Sequence, residues 1–169
     1  MNCDQKLAIL VDSENLEISV NVDFEVDASL RKTHVAYPDW MTIIPRVVGD
    51  RTLVRNIYYK KRELDVSRKF RTLWERKLFG EFKQPEKSVD PYIIVDAITL
   101  SEKVDVIVLL AGDKDYLPLL WYLKSKGCKV EIAAFAKATS ARLRAAADRF
   151  YLLDEDDTIV LAPGEDPDA

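Results

Sequence analysis

The chain has 169 residues, 48% hydrophobic and 32% charged, with a formal net charge of −4. That length suits one buried core and gives no reason for a second domain; no apolar run is long enough to span a bilayer, and the opening MNCDQKLAIL lacks the charge and apolar stretch of a signal peptide, so a soluble, unexported, cytoplasmic protein is expected. Cys3 and Cys128 stand in no metal or redox spacing, which argues against a disulfide framework and a thiolate metal site.

Residues 7–12, LAILVD, form an unbroken apolar run ending on a carboxylate. This is the pattern of a central parallel strand covered on both faces, its C-terminal end open to solvent. Residues 14–37 mix Val, Phe and acids without steady period, predicting a helix start and then an irregular insertion that holds the single histidine, His34. Asp39 predicts a helix cap before Trp-Met-Thr-Ile-Ile, Pro45 interrupts that helix, and Gly49-Asp50 turns into a strand at 52–59. In residues 65–79, Val66, Phe70, Leu73, Trp74, Lys77 and Leu78 share one helical stripe that Gly80 stops, and the other faces are basic. Then follow a short strand at 81–83, a helix from Asp90-Pro91 to about 102 and a buried strand at 104–110. A helix at 115–126, a strand at 129–135, a helix at 139–148 and a short strand at 150–153 complete the series. Alternating β and α elements of this length predict a parallel, doubly wound sheet.

From Asp154 onward there are seven acids, no base, and Pro163, Gly164 and Pro167, which predicts a disordered acidic tail at 154–169 beyond a folded body at 1–153. Without the tail the body carries 25 basic against 22 acidic groups, and residues 46–87 hold thirteen Lys or Arg against six Asp or Glu. A solvated helix face and an RNA-binding face are both consistent with that set; on the second reading the tail, opposite in sign, would compete with RNA for it.

Ligands of open parallel sheets bind outside the carboxyl ends of the strands, where strand order reverses. Asp12 and Asp113 each follow an apolar strand and so reach that edge, with Asp115 at the mouth of the next helix. Plainer roles exist for most of the acids: Asp115 and Asp90 as helix caps, Asp12 in an Asx turn with Glu14 or Asn15. Asp96 interrupts the apolar run Tyr92-Ile-Ile-Val-Asp-Ala-Ile, where a buried charge needs a partner.

Taken jointly, V-D-S-E-N at 11–15, K-S-V-D at 87–90 with Asp96, and A-G-D-K-D-Y-L-P-L at 111–119 resemble the NYN domain family of PIN-like proteins, in its LabA-like branch. That family shows D-x-x-N after its first strand, K-G-V-D with another Asp six residues on, and S-G-D-S-D-F with a nearby Pro-Leu. The likeness continues into TSARLRAAADRF at 139–150 and covers about residues 6–154. Ala111, Ser88 and Lys114 depart from the pattern; an ammonium at Lys114 either takes part of a metal's place or contacts the scissile phosphate.

The resemblance implies a single PIN-like (Rossmann-like) α/β domain, a central, mostly parallel sheet flanked by helices, that hydrolyses RNA phosphodiesters with Mg²⁺ or Mn²⁺. It implies Asp12, Asp90 and Asp113 as metal ligands, Asp96 and Asp115 as further ligands or supports, and Asn15 orienting Asp12 or a phosphate oxygen. In a helix Asp90 and Asp96 lie about 9 Å apart along the axis, so one of them supports rather than binds the same ion. Lys60, Lys61, Arg62, Lys87 and Lys114 are the expected RNA contacts, and a homo-oligomer or protein partner is left open. His34 reads as an ordinary surface residue, which disfavours a histidine-dependent nuclease. The rival from another class is a non-catalytic RNA-binding or protein-interaction module on the same fold. An aspartyl phosphotransferase is disfavoured because Ser13-Glu14-Asn15 lacks a second Asp two residues after Asp12, and a dinucleotide site because no G-x-G-x-x-G occurs.

Overall fold

The apolar run at 7–12 forms the centre of the sheet in the computed structural model, which describes residues 4–23, 35–137, 139–162, 164 and 165. The chain runs β1 (Lys6–Asp12), α1 (Ser13–Asp23), β2 (Val35–Pro38), α2 (Trp40–Val48), β3 (Thr52–Tyr59), α3 (Arg68–Lys77), β4 (Glu81–Lys83), α4 (Asp90–Ser101) and β5 (Val106–Leu110). A 3₁₀ turn (Lys114–Tyr116), α5 (Leu117–Ser125), β6 (Lys129–Phe135), α6 (Ala141–Ala146), β7 (Arg149–Leu153), a second 3₁₀ turn (Glu155–Asp157) and β8 (Thr158–Leu161) follow.

Six strands pair in the order β4-β3-β1-β5-β6-β7, all parallel. The chain winds outward from β1 through β3 to β4, then crosses back to β5 and winds the other way, so the strand order reverses between β1 and β5. Leu7 through Asp12 and the whole of β5 are buried, as a strand covered by helices on both faces must be. The fold is thus α/β with a central parallel sheet flanked by helices, consistent with one PIN-like domain.

The α2 helix shows how local chemistry sets an element. Asp39 accepts from the backbone N–H groups of Met41 and Thr42, and Trp40, Ile43, Ile44 and Val47 form its buried stripe. In α3 only Trp74 is fully buried, joining Trp40, Tyr58, Phe70 and Phe82 in edge-to-face and tilted pairs. Gly80 lies against that indole, and a Cβ there would overlap it. Gly80→Ala therefore lowers stability by about 1–3 kcal/mol, read as a lower urea midpoint at unchanged slope.

Two expectations need correction. Residues 14–37 are not simply an irregular insertion: α1 runs to Asp23, and β2 pairs antiparallel with β8. Residues 24–34, with His34, lie outside the described residues. Nor is the segment from Asp154 a free tail, since residues 154–161 form the second 3₁₀ turn and β8. One of its acids is held rather than repelled. Asp157 is fully buried, both its oxygens 2.8–2.9 Å from Arg46 Nη1, while Arg46 Nη2 donates to the Leu152 carbonyl. A carboxylate so neutralised is not available to compete for a basic face. No helix among the described residues is long and apolar enough to cross a membrane.

Candidate active site

Asp12 ends β1 in register with Tyr59, and α1 starts at the next residue, so the carboxylate stands where the strand order reverses. Ser13 Oγ donates to the Tyr59 carbonyl at 2.7 Å and locks that corner. The backbone N–H of Asn15 donates to Asp12 Oδ1 at 3.3 Å, and its side-chain oxygen accepts from the Gly112 N–H at 2.9 Å. Asn15 thereby ties the loop after β5 to the end of β1.

The centre of the arrangement is Tyr116. Its hydroxyl lies 2.9 Å from Asp12 Oδ2 and 3.0 Å from Asp90 Oδ1, and the ring is 1% exposed. Burial, and then the Asp90 and Glu14 charges, push the Asp12 carboxyl up to about 6 against the opposing hydrogen bonds from Tyr116 and Asn15. Burial and the two carboxylates push the Tyr116 phenol far above its ordinary value, so it stays a donor. One phenolic proton cannot serve two ionised carboxylates. With a proton on Asp12 both contacts become hydrogen bonds: Asp12 donates to the phenol and the phenol donates to Asp90. Tyr116→Phe removes this bridge and leaves the acids facing each other, lowering the stability of the protein in EDTA by about 1–3 kcal/mol in a thermal or urea melt.

Asp90 is the first residue of α4, ahead of Pro91, but it does not cap the helix with its side chain. Nor does Asp115 act as a cap. Asp113, half-buried after β5, accepts from the Asp115 N–H at 2.9 Å and caps the 3₁₀ turn, while Asp115 is exposed. Asp96 finds the partner its position demands within the protein: Lys83 Nζ and the Tyr59 hydroxyl donate to its Oδ2 at 2.7 and 2.6 Å. That oxygen is spent on an ion pair, so Asp96 supports β3 and β4 rather than joining Asp12 and Asp90. Among the described residues no three of His, Cys, Asp and Glu gather closely enough to hold a metal ion as a ready-made cage.

The expected RNA contacts divide in two. Lys60 Nζ is 3.2 Å from Glu17, Lys61 3.8 Å from Glu14 and Arg62 3.5 Å from Glu86, the last pair well exposed and energetically slight. Lys87 and Lys114 are exposed and in no ion pair among the described residues. Sequence reasoning passed over Tyr116, Tyr59 and Lys83. For Tyr116 a signal existed, because it stands where the family pattern has Phe.

No curated protein matches the chain. Among solved structures, a crystal structure of a protein of unknown function from Vibrio parahaemolyticus RIMD 2210633 superposes with a TM-score of 0.78 at 21% identity. The match covers 94% of this chain and 99% of that one and shows a shared fold. The profile of the NYN domain matches residues 6–154, from the start of β1 to the residue after β7. The chain therefore belongs to the NYN domain family.

Proposed function

We propose that the protein is a divalent-metal-dependent ribonuclease, hydrolysing RNA phosphodiester bonds at Asp12 and Asp90. NYN domains are generally ribonucleases that use divalent metals. The observation that carries the reading is the convergence of two acids, from β1 and α4, on one buried phenol where the strand order reverses.

The donor set fits a hard cation. Mg²⁺ is commonly held by one or two carboxylates, with waters and substrate phosphate oxygens completing the shell, so a pair of acids suffices. Asp12 and Asp90 would hold it, with Asp113 as the third acid of the same edge. When bound, Mg²⁺ or Mn²⁺ supplies Lewis-acid stabilisation of the phosphate and acidifies water. The residues present do the rest. Asn15 fixes the Asp12 carboxylate, Tyr116 orients Asp90 through its one proton, and exposed Lys114 beside Asp113 meets the strand's phosphates. Asp96 keeps Lys83 and Tyr59 in place beneath them.

One observation favours a non-catalytic binding module instead: among the described residues Asp113 does not gather with the pair closely enough to make a three-acid metal cage. A single experiment separates the readings. End-labelled single-stranded RNA is incubated with wild type and Asp12→Asn, each in Mn²⁺, Mg²⁺ and EDTA. Cutting by wild type in metal only, with a loss of about 100-fold or more in the variant, is the expected result. Equal behaviour of the two proteins sinks the ribonuclease reading.

A further inference from the structure

A cavity of about 420 Å³ lined from α1, α2, α3 and the β2–β8 ribbon is left unused by the catalytic argument. Tyr37, Trp40, Tyr58 and Phe70 give it aromatic walls, and Glu17, Asp39, Asp65 and Lys60 are its charged lining. Its rings are fixed by one another: Tyr58 packs edge-on to Trp40 at 5.6 Å and to Phe70 at 5.3 Å. Glu17 is equally fixed, since the Tyr58 hydroxyl donates to its Oε1 at 2.6 Å and Lys60 Nζ to both its oxygens at 3.2–3.3 Å. Three contacts fill most of the carboxylate's roughly four acceptor sites, and a ligand that takes Lys60 as its own donor frees two of them. Its side chain is 28% exposed and that of Lys60 16%, so both act where water competes weakly.

The place is as telling as the chemistry. Glu17 sits one turn along α1 from Ser13, which directly follows β1, and Lys60 directly follows Tyr59, the register partner of Asp12. On the ribonuclease reading, an RNA strand lying along this edge would bring a base toward the cavity. A flat heteroaromatic ring suits the walls. Against an acceptor pair with a cation alongside, guanine is the matching base. It alone offers two adjacent N–H donors, N1–H and the 2-amino group, to the two carboxylate oxygens, and its O6 beside them accepts from an ammonium. Adenine and cytosine would turn a ring nitrogen acceptor toward Glu17, and uracil offers one donor between two carbonyls.

We infer that this cavity seats a guanine base of the RNA, with Glu17 reading its N–H edge and Lys60 its O6. The assignment to RNA rests on the ribonuclease reading; the pocket's base preference is testable without it. Binding of the 5′-monophosphates of guanosine, adenosine, cytidine and uridine to the full chain is measured by calorimetry in EDTA. Guanosine monophosphate should bind at least about tenfold tighter than the other three, and Glu17→Gln should bring it within about threefold of them. Val66→Trp, which fills the cavity from its rim, should abolish binding of all four, with circular dichroism confirming that both variants fold. Absence of any base preference, or a preference that Glu17→Gln leaves intact, overturns the inference. Metal-dependent cutting without guanine preference would leave the ribonuclease reading standing and this one fallen; guanine preference without cutting would do the reverse.

Discussion

Asp12→Asn makes the metal-free protein more stable while removing its response to Mn²⁺. The folded state holds the Asp12 proton more tightly than the unfolded chain does, because its carboxyl is pushed up from 3.8 to about 6 by burial first and by Asp90 and Glu14 after it. The sign follows from linkage. Below the unfolded value both states are protonated and the site costs nothing; as pH rises through about 6 the folded state must ionise a buried acid, and stability falls. At 1.36 kcal/mol per unit the loss amounts to about 3 kcal/mol by pH 8, counted as an upper figure. Asparagine keeps the shape and never ionises, so urea melts in EDTA at pH 8 should show the variant the more stable by up to that amount, with the gap closing toward pH 4. Adding Mn²⁺ should raise the midpoint of wild type and leave the variant unmoved. A variant less stable than wild type at pH 8 would mean that Asp12 is a structural acid.

Glu131→Ala should cost about 3–5 kcal/mol, the largest loss expected of any single truncation here. Arg51 Nη1 and Nη2 meet the two Glu131 oxygens at 2.7 and 2.9 Å in a bidentate pair whose side chains are only 10% and 8% exposed. Tyr151 donates to Glu131 Oε1 at 3.1 Å, and Arg51 also donates to the Val47 carbonyl at 2.6 Å. Removing the carboxylate leaves a buried guanidinium with one strong partner gone. Removing both charges does not: Arg51→Met with Glu131→Leu should regain most of the loss, because a well-packed apolar pair avoids the desolvation cost of both ions. Urea midpoints of the two single variants and the double variant decide it, and additive losses would refute the coupling.

The parts of the fold legible in the sequence were those with strong local signals. β1 and β5 are built on unbroken apolar runs, and the capped, amphipathic α2 announces itself through Asp39 and the Trp40, Ile43, Ile44, Val47 stripe. β2 and β8 carried no such signal. Each is four residues long, each becomes a strand only against the other, and they lie more than a hundred residues apart in the chain. The acids of 154–157 looked like a solvating run because Arg46, the cation that buries Asp157, is equally remote.

At the site the same limit applied. The positions of Asp12 and Asp90, which meet at the Tyr116 hydroxyl, follow from a strand end and a helix start, and those are local features. Asp96 was read correctly as an acid in want of a partner, but the choice of Lys83 over a metal depends on β4 lying beside β3. The capping roles fell differently from the sequence preference because the chain after β5 makes a 3₁₀ turn before α5, moving the cap from Asp115 back to Asp113. Tyr116 was passed over because its part rests on hydroxyl contacts with two acids remote from it in the chain.

The β2–β8 ribbon has a dynamic meaning. Central strands such as β1 and β5 exchange their amide hydrogens only when the whole domain opens, whereas a two-stranded ribbon joined along four residue pairs opens as a unit of its own at lower cost. Its lower free energy of opening makes the ribbon, with Tyr37 and Ile159, the yielding wall of the aromatic cavity, while the rings of the core form the wall that stays put.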